Sequence, residues 1–390
     1  MLRLAFAGLL VVFGGGVAPA QEVPDPRIRV RDGFELTVAA RIDGPARFMA
    51  VGADGTLYVT SPALGTIFSL KDRDGDGRYE STRAFATDLP TVHGITTHDG
   101  WVWFTQSGAI GKARDGDGDG VADRHETVIP EGDLPSGGGH WWRSICIHGG
   151  RLYTSIGDPS NASDQTGTDR EKVWSFDLAG GDKTLFVSGI RNTEKLVVRP
   201  GTDEIWGMDH GSDNFGRSLG ESRGDQPVTD LNPPDEMNHY VEGGFYGHPF
   251  IVGTGVPRYE FAKRKDILEL ADKTTEPEWK TGAHWAPNAM CFYDPPEGAA
   301  HAFPSEFEGD AFVAFHGSWN RTQRAGYQVA RVLFDGGHPY GELPIVRFLT
   351  ESGEVLGRPV DVVVDTDGSV LISEDWRNTI YRLRWVGPGE

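Results

Sequence analysis

Residues 143–158 read RSICIHGGRLYTSIGD: a short alternating apolar run, a two-glycine turn, and a second alternating run that ends on Asp158. Side chains that alternate with period two around a Gly turn define a β-hairpin. The same phrase returns as ARFMAVGADGTLYVTS at 46–61, HGITTHDGWVWFTQ at 93–106, KLVVRPGTDEIWGMD at 195–209 and VDVVVDTDGSVLISED at 360–375. A looser copy with a long insertion in its turn spans 289–317. Further apolar strands follow most copies: TIFSL (66–70), KVWSFDL (172–178), YQVARVLF (327–334) and, at the end, TIYRLRW. Six copies of an antiparallel unit predict an all-β fold, a six-bladed β-propeller. The one amphipathic helical pattern, 261–272, reads as part of an insertion.

The chain has 390 residues with 53 glycines and 24 prolines, a loading suited to many turns between short strands. Arg3, the apolar run 4–13 and Ala18-Pro19-Ala20 form the n-region, h-region and cleavage site of a secretory signal. Residues 1–20 are therefore expected to be a signal peptide, and 21–390 one propeller domain, periplasmic or secreted and without a membrane span after cleavage. The net charge of −20 argues against nucleic acid, whose phosphates need a cationic surface. Two cysteines, Cys146 and Cys291, can pair or stand as separate thiols. No CxxCH is present, so no covalent haem is expected.

Equivalent repeat positions lie at equivalent heights in a propeller. The residues just before each first strand are Arg47, His93, His140, Arg191 with Asn192, His284 and Arg358. Those just after each second strand are Ser61, Gln106, Asp158, Asp209 with His210, His316, and Glu374 with Asp375. Both sets are expected to ring one mouth, and the first set carries cations and histidines but no carboxylate. Such a ring suits an anionic ligand. Asp158 lies across the hairpin from His140, so its carboxylate is expected to orient the imidazole as a general base. Arg191 is placed to stabilise developing charge.

Residues 115–126 read DGDGDGVADRHE. Asp115, Asp117, Asp119, the Val121 carbonyl, Asp123 and Glu126 fall at positions 1, 3, 5, 7, 9 and 12 of a calcium loop, with Gly120 at position 6. Asp72, Asp74, Asp76 and Glu80 form a weaker copy with Arg83 at the last position. A structural Ca2+ site is expected at 115–126, and either loop also reads as a solvated acidic turn.

Taken in order, HWWRSICIHGGRLYTSIGDPSN, SGIRN, MDHGSDN, DEMN with GGFYGHP, AFHGSWNR and GRPVDV resemble the soluble quinoprotein glucose/sorbosone dehydrogenase family, over roughly 33–385. The resemblance implies a six-bladed propeller that binds pyrroloquinoline quinone (PQQ) and oxidises an aldose or a related alcohol or aldehyde. It implies His140 as base, Asp158 as its orienting acid, and Arg191 and Asn192 as cofactor contacts. It further implies Gly211 and Ser212 as carbonyl ligands of a calcium ion against PQQ. Arg358 becomes a cofactor-carboxylate arginine, with Arg47, His316 and Arg321 as further contacts. Electrons would leave to a separate acceptor, a cytochrome or a quinone. Departures are visible: Thr193-Glu194-Lys195 follows Asn192, and Trp141 and Trp142 follow His140 where smaller residues are common. Two other functions fit a propeller: a calcium-dependent hydrolase of the lactonase type, and a non-catalytic glycan-binding module. The first needs converging Glu, Asn and Asp ligands. The second is supported by Trp141, Trp142, Trp285 and Trp319.

Overall fold

The computed structural model describes residues 23–216 and 226–388. The expected signal segment 1–20 lies outside the described residues. All six repeated phrases form the two inner strands of an antiparallel sheet, four-stranded in five blades and extended to five strands by Arg29–Val30 in the other. Blade 1 begins with Met49–Val51 and Leu57–Ser61, blade 2 with Ile95–His98 and Trp101–Thr105, blade 3 with Cys146–His148 and Arg151–Ile156. Blade 4 begins with Leu196–Val198 and Ile205–Asp209, blade 5 with Pro287–Phe292 and Ala311–Phe315, blade 6 with Pro359–Val364 and Val370–Glu374. The first strands contact one another in a closed ring of six, which makes the molecule a six-bladed β-propeller.

Each pair of neighbouring blades shares its own apolar layer. Phe176, Leu152 and Trp103 fill the seam between blades 2 and 3, and Trp206, Met290 and Phe315 that between blades 4 and 5. Blade 6 closes the ring from both ends of the chain: Phe34–Arg41 pairs with Thr379–Trp385. The N-terminal strand of that closure was not singled out in the sequence, because it lacks a hairpin partner next to it in the chain. The helical pattern at 261–272 is a 3-10 turn, Tyr259–Phe261, followed by a short helix, Ile267–Lys273, in an insertion packed on Phe250 and Ile251. No helix among the described residues is long and apolar enough to cross a membrane.

Blades are laced together at the mouth. A hydroxyl at the end of the second strand donates to a ring-level carbonyl of the next blade: Thr60 to His93 (3.0 Å), Thr105 to Arg143 (3.0 Å), Ser155 to Thr193 (2.5 Å) and Ser373 to Arg47 (2.5 Å). These bonds fix the heights of the residues before the first strands. Cys146 and Cys291 are free thiols in different seams, so the pairing that the sequence left open is not made.

Candidate active site at the propeller mouth

His140 is held by backbone. Its Nδ1 lies 2.8 Å from the carbonyl oxygen of Asp158. A carbonyl only accepts, so Nδ1 carries the proton and Nε2 keeps its lone pair. The Asp158 carboxylate points elsewhere, which corrects the expected carboxylate–imidazole pair. It accepts from Ser160 and Ser163, backbone and hydroxyl of both, and binds His248 Nε2 at 2.8 Å. The cause is local: Asp158 opens a tight loop whose N–H groups capture its side chain, leaving only its carbonyl for His140. Burial alone would raise Asp158, yet His248 and the two serine N–H groups hold it well below the usual range. Burial and the Arg191 guanidinium lower His140 to about 3, so the imidazole is neutral.

Glu171, unremarked in the sequence, completes this layer. Its carboxylate lies 3.6 Å from His248 Nε2, and Asp158, Glu171 and His248 converge while buried. Burial and the neighbouring Asp158 charge push Glu171 up to about 9, so it is a neutral acid at pH 7.

The structure brings Arg47, Arg191, Asn192, His210, His316 and Arg358 to one mouth, but several are already spoken for. Arg47 donates to Glu194 (2.9 Å) and Asp375 (2.8 Å), and the Trp142 ring covers its guanidinium at 4.5 Å. Glu194 also accepts from Asn192 Nδ2 at 3.1 Å and faces His93 Nε2 at 3.5 Å. Burial would raise Glu194, but His93 and Arg47 keep it ionised. The first set of ring residues carries no carboxylate, but Glu194 stands directly beside it. Glu194, the departure after Asn192, supplies a buried charge that consumes Arg47 and Asn192.

Arg191 is consumed as well. It donates to the Asn161 carbonyl (2.8 Å), Asn161 Oδ1 (3.0 Å) and the Gly211 carbonyl (3.0 Å), and approaches Asp213 at 3.4 Å. The Gly211 carbonyl, expected as a calcium ligand, thus accepts from the Arg191 guanidinium. A cation on this carbonyl would face that guanidinium, with the Asp213 carboxylate 3.4 Å from Arg191 as the nearby counter-charge. His316 uses both nitrogens, with Nε2 on Asp375 at 3.0 Å and Nδ1 accepting from Arg358 Nη2 at 2.9 Å. It positions Arg358 and has no donor left for a ligand.

What remains free is specific. Arg358 and Arg321 form no salt bridge among the described residues; Arg321 donates only to the Ala283 and Gln323 carbonyls. Among the described residues, Ser212 Oγ and His210 Nε2 are buried with no hydrogen-bond partner. Buried polar atoms without partners are costly, and a ligand with acceptor oxygens relieves that cost. Around this space Arg358 has no carboxylate partner among the described residues, whereas Arg47 and Arg191 face carboxylates at 2.8–3.4 Å. Trp142, between its stack with Trp141 (3.7 Å) and its cover over Arg47, walls one side of this space.

The acidic loops are repeat-equivalent turns between the third and fourth strands of blades 1 and 2, with Gly77 and Gly120 at φ +93° and +92°. Asp72, Asp74, Asp76 and Glu80 converge as four carboxylates, whereas only Asp115, Asp117 and Asp119 converge in the second loop. The fourth strand of blade 2 starts at Arg124, so Glu126 leaves with the strand and pairs with Lys112 at 3.0 Å. Asp123 turns back against Gly116, and Val121 lies with its side chain at the surface.

Comparisons with known proteins agree with this fold. A carbohydrate-active enzyme of family AA12 from Trichoderma reesei superposes with a TM-score of 0.79 at 19% identity, over 94% of this chain and 100% of that one. The PQQ domain of pyranose dehydrogenase from Coprinopsis cinerea, in its holo form, gives 0.76 at 17% identity, over 94% and 99%. The soluble aldose sugar dehydrogenase of Escherichia coli gives 0.64 at 18% identity, over 90% and 99%. The class is thus a six-bladed propeller with the fold of soluble sugar dehydrogenases. The chain belongs to the TrAA12-like family, whose profile matches residues 28–386. An uncharacterized protein of Borreliella burgdorferi is 29% identical over 219 residues; the match spans 54% of this chain and about half, 51%, of that relative.

Proposed function

We propose that the protein is a PQQ-dependent oxidoreductase that oxidises an aldose sugar or a related alcohol or aldehyde, with His140 as general base. One observation carries the reading: His140 is neutral, its Nδ1–H is fixed on the Asp158 carbonyl, and its Nε2 has no hydrogen-bond partner among the described residues. PQQ, when bound, supplies a quinone carbonyl that accepts hydride. The chain's own part is to take the substrate hydroxyl proton at His140 Nε2. The resulting imidazolium is stabilised by the Asp158 carbonyl dipole. Arg358, oriented by His316, and Arg321 bind cofactor carboxylates, and Ser212 and His210 supply buried hydrogen-bonding groups. Arg191 and Asn192 hold the Gly211 and His210 segments in place.

The lactonase reading loses support because Glu194 and Asp375, the mouth carboxylates it needs as ligands, are bonded to Arg47. Calcium enters the proposal at the blade loops, first at Asp72, Asp74, Asp76 and Glu80, as a structural ion. Electrons pass to a separate cytochrome or quinone acceptor, and the protein works outside the cytoplasm, as the signal-like segment 1–20 suggests. Reconstitution with PQQ followed by a panel of aldoses, with cofactor reduction as the readout, tests the activity.

A further inference from the structure

A cavity of about 730 Å³ opens on the flank of blade 2, and Trp141, the chain neighbour of His140, is one of its lining residues. Its walls are the segment 89–91 that enters blade 2, the turn 106–109, the outer strand at 125–127, and residues 131–137. They are pinned to one another. Gln106 Nε2 donates to the Pro90 carbonyl at 2.8 Å, the Gly137 N–H donates to Ser107 Oγ at 2.9 Å, and Arg170 holds the Ser136 carbonyl at 2.7 Å. The cavity is therefore preformed. Its volume is in the range of small-molecule sites, about 300–1,000 Å³, and exceeds what one pyranose ring needs.

The lining has a definite chemistry. Trp141 stacks on Trp142 at 3.7 Å and also borders the cavity, so part of an aromatic surface is presented to it. An aromatic face receives the C–H face of a sugar ring. Gln106, His125, Glu126 and Glu131 add an amide, an imidazole and two carboxylates that can bind hydroxyl groups. Gly108 makes room for Glu131: a Cβ there would stand 2.2 Å from its Oε1. No lysine or arginine lines the cavity, in contrast to the mouth, so uronates and phosphorylated sugars are disfavoured.

We infer that this cavity is a saccharide subsite that holds the non-oxidised units of a neutral oligosaccharide whose terminal unit is presented to His140. The inference rests on the proposed oxidoreductase reading for the placement of that terminal unit, and on the cavity alone for binding.

Calorimetric titration of the full chain, with and without PQQ, tests it with glucose, cellobiose, cellotriose, maltose, maltotriose and digalacturonate. At least one neutral di- or trisaccharide is expected to bind roughly tenfold tighter than glucose. Digalacturonate is expected to show no such gain. Trp141→Ala is expected to erase the gain. So is Thr127→Trp, which fills the cavity from an exposed strand position and leaves the mouth untouched. Equal binding of all sugars, or a length preference that survives both variants, would overturn the subsite. Length-dependent binding by a protein that takes no PQQ would keep the subsite and remove the oxidoreductase reading. PQQ-dependent glucose oxidation with no length preference would do the reverse.

Discussion

The Asp158 carbonyl receives His140 Nδ1 at 2.8 Å, while the carboxylate of the same residue binds His248 at 2.8 Å. One residue thus holds His140 with its backbone and the scaffold with its side chain. The two roles separate by mutation. His140→Ala should lower kcat by roughly 10²–10⁴. Asp158→Asn should cost far less in kcat, because the carbonyl stays, but it should lower Tm, because the amide NH2 faces the Ser160 and Ser163 N–H groups. Steady-state kinetics beside thermal melts check this. A kcat loss in Asp158→Asn as large as in His140→Ala would show that the carboxylate acts on the base.

Arg358 and Arg47 should behave as opposites. Arg358 has no carboxylate partner, so Arg358→Gln should weaken PQQ binding by roughly 10–100-fold with little change in Tm. Arg47→Gln leaves Glu194 with Asn192 and His93 and Asp375 with His316, but removes the guanidinium that neutralises both carboxylates, a loss of about 3–5 kcal/mol. It should therefore destabilise the fold first. PQQ titration and denaturant melts of both variants decide the order.

The buried layer behind His140 predicts a stability profile with two arms. His140, His210 and His248 are lowered to about 3, 4 and 4 from 6.5, so the unfolded chain binds more protons between those values. Stability should therefore fall as pH drops from 6.5 towards 4. Glu171 is raised to about 9 from 4.5, so the folded chain binds the extra proton there, and stability should fall as pH rises through that window. Asp235 and Glu236, raised by burial to about 7 and about 8, add to this second arm, so Glu171→Gln should remove Glu171's share of it, with a Tm advantage over the native protein that grows from pH 5 to 9. Equal pH profiles for the two proteins would contradict the placement of that proton.

Much of the architecture was legible because hairpins are local. Six alternating runs with Gly or Asp turns fixed the blades, and repeat position brought Arg47, His140, Arg191 and Arg358 to one mouth. The direction of a side chain at a strand end is not local, and there the reading failed. Asp158 and His140 were correctly paired, but the loop N–H groups that capture the carboxylate come from Ser160 and Ser163. Glu194 was seen only as a departure, although it neutralises Arg47 across the mouth. Glu126 fits a loop spacing, yet the strand that begins at Arg124 carries it away. Glu171 and His248 are far apart in the chain, and only the fold joins them to Asp158.

Calcium at the blade loops carries its own expectation. With calcium at about 100 times Kd, binding adds about 2.7 kcal/mol to stability. Chelation should therefore lower Tm, and Asp72→Asn should remove most of that response, more than Asp115→Asn does, because four carboxylates converge in the first loop. An unchanged Tm on chelation would leave both loops as solvated turns.

The most direct test of the central claim is a spectroscopic titration of the purified protein with PQQ, followed by addition of aldoses. The account predicts saturable one-to-one binding, reduction of the bound cofactor by at least one sugar, and loss of that reduction in His140→Ala with binding retained. Absence of PQQ binding, or sugar-driven reduction that is unchanged in His140→Ala, would contradict it.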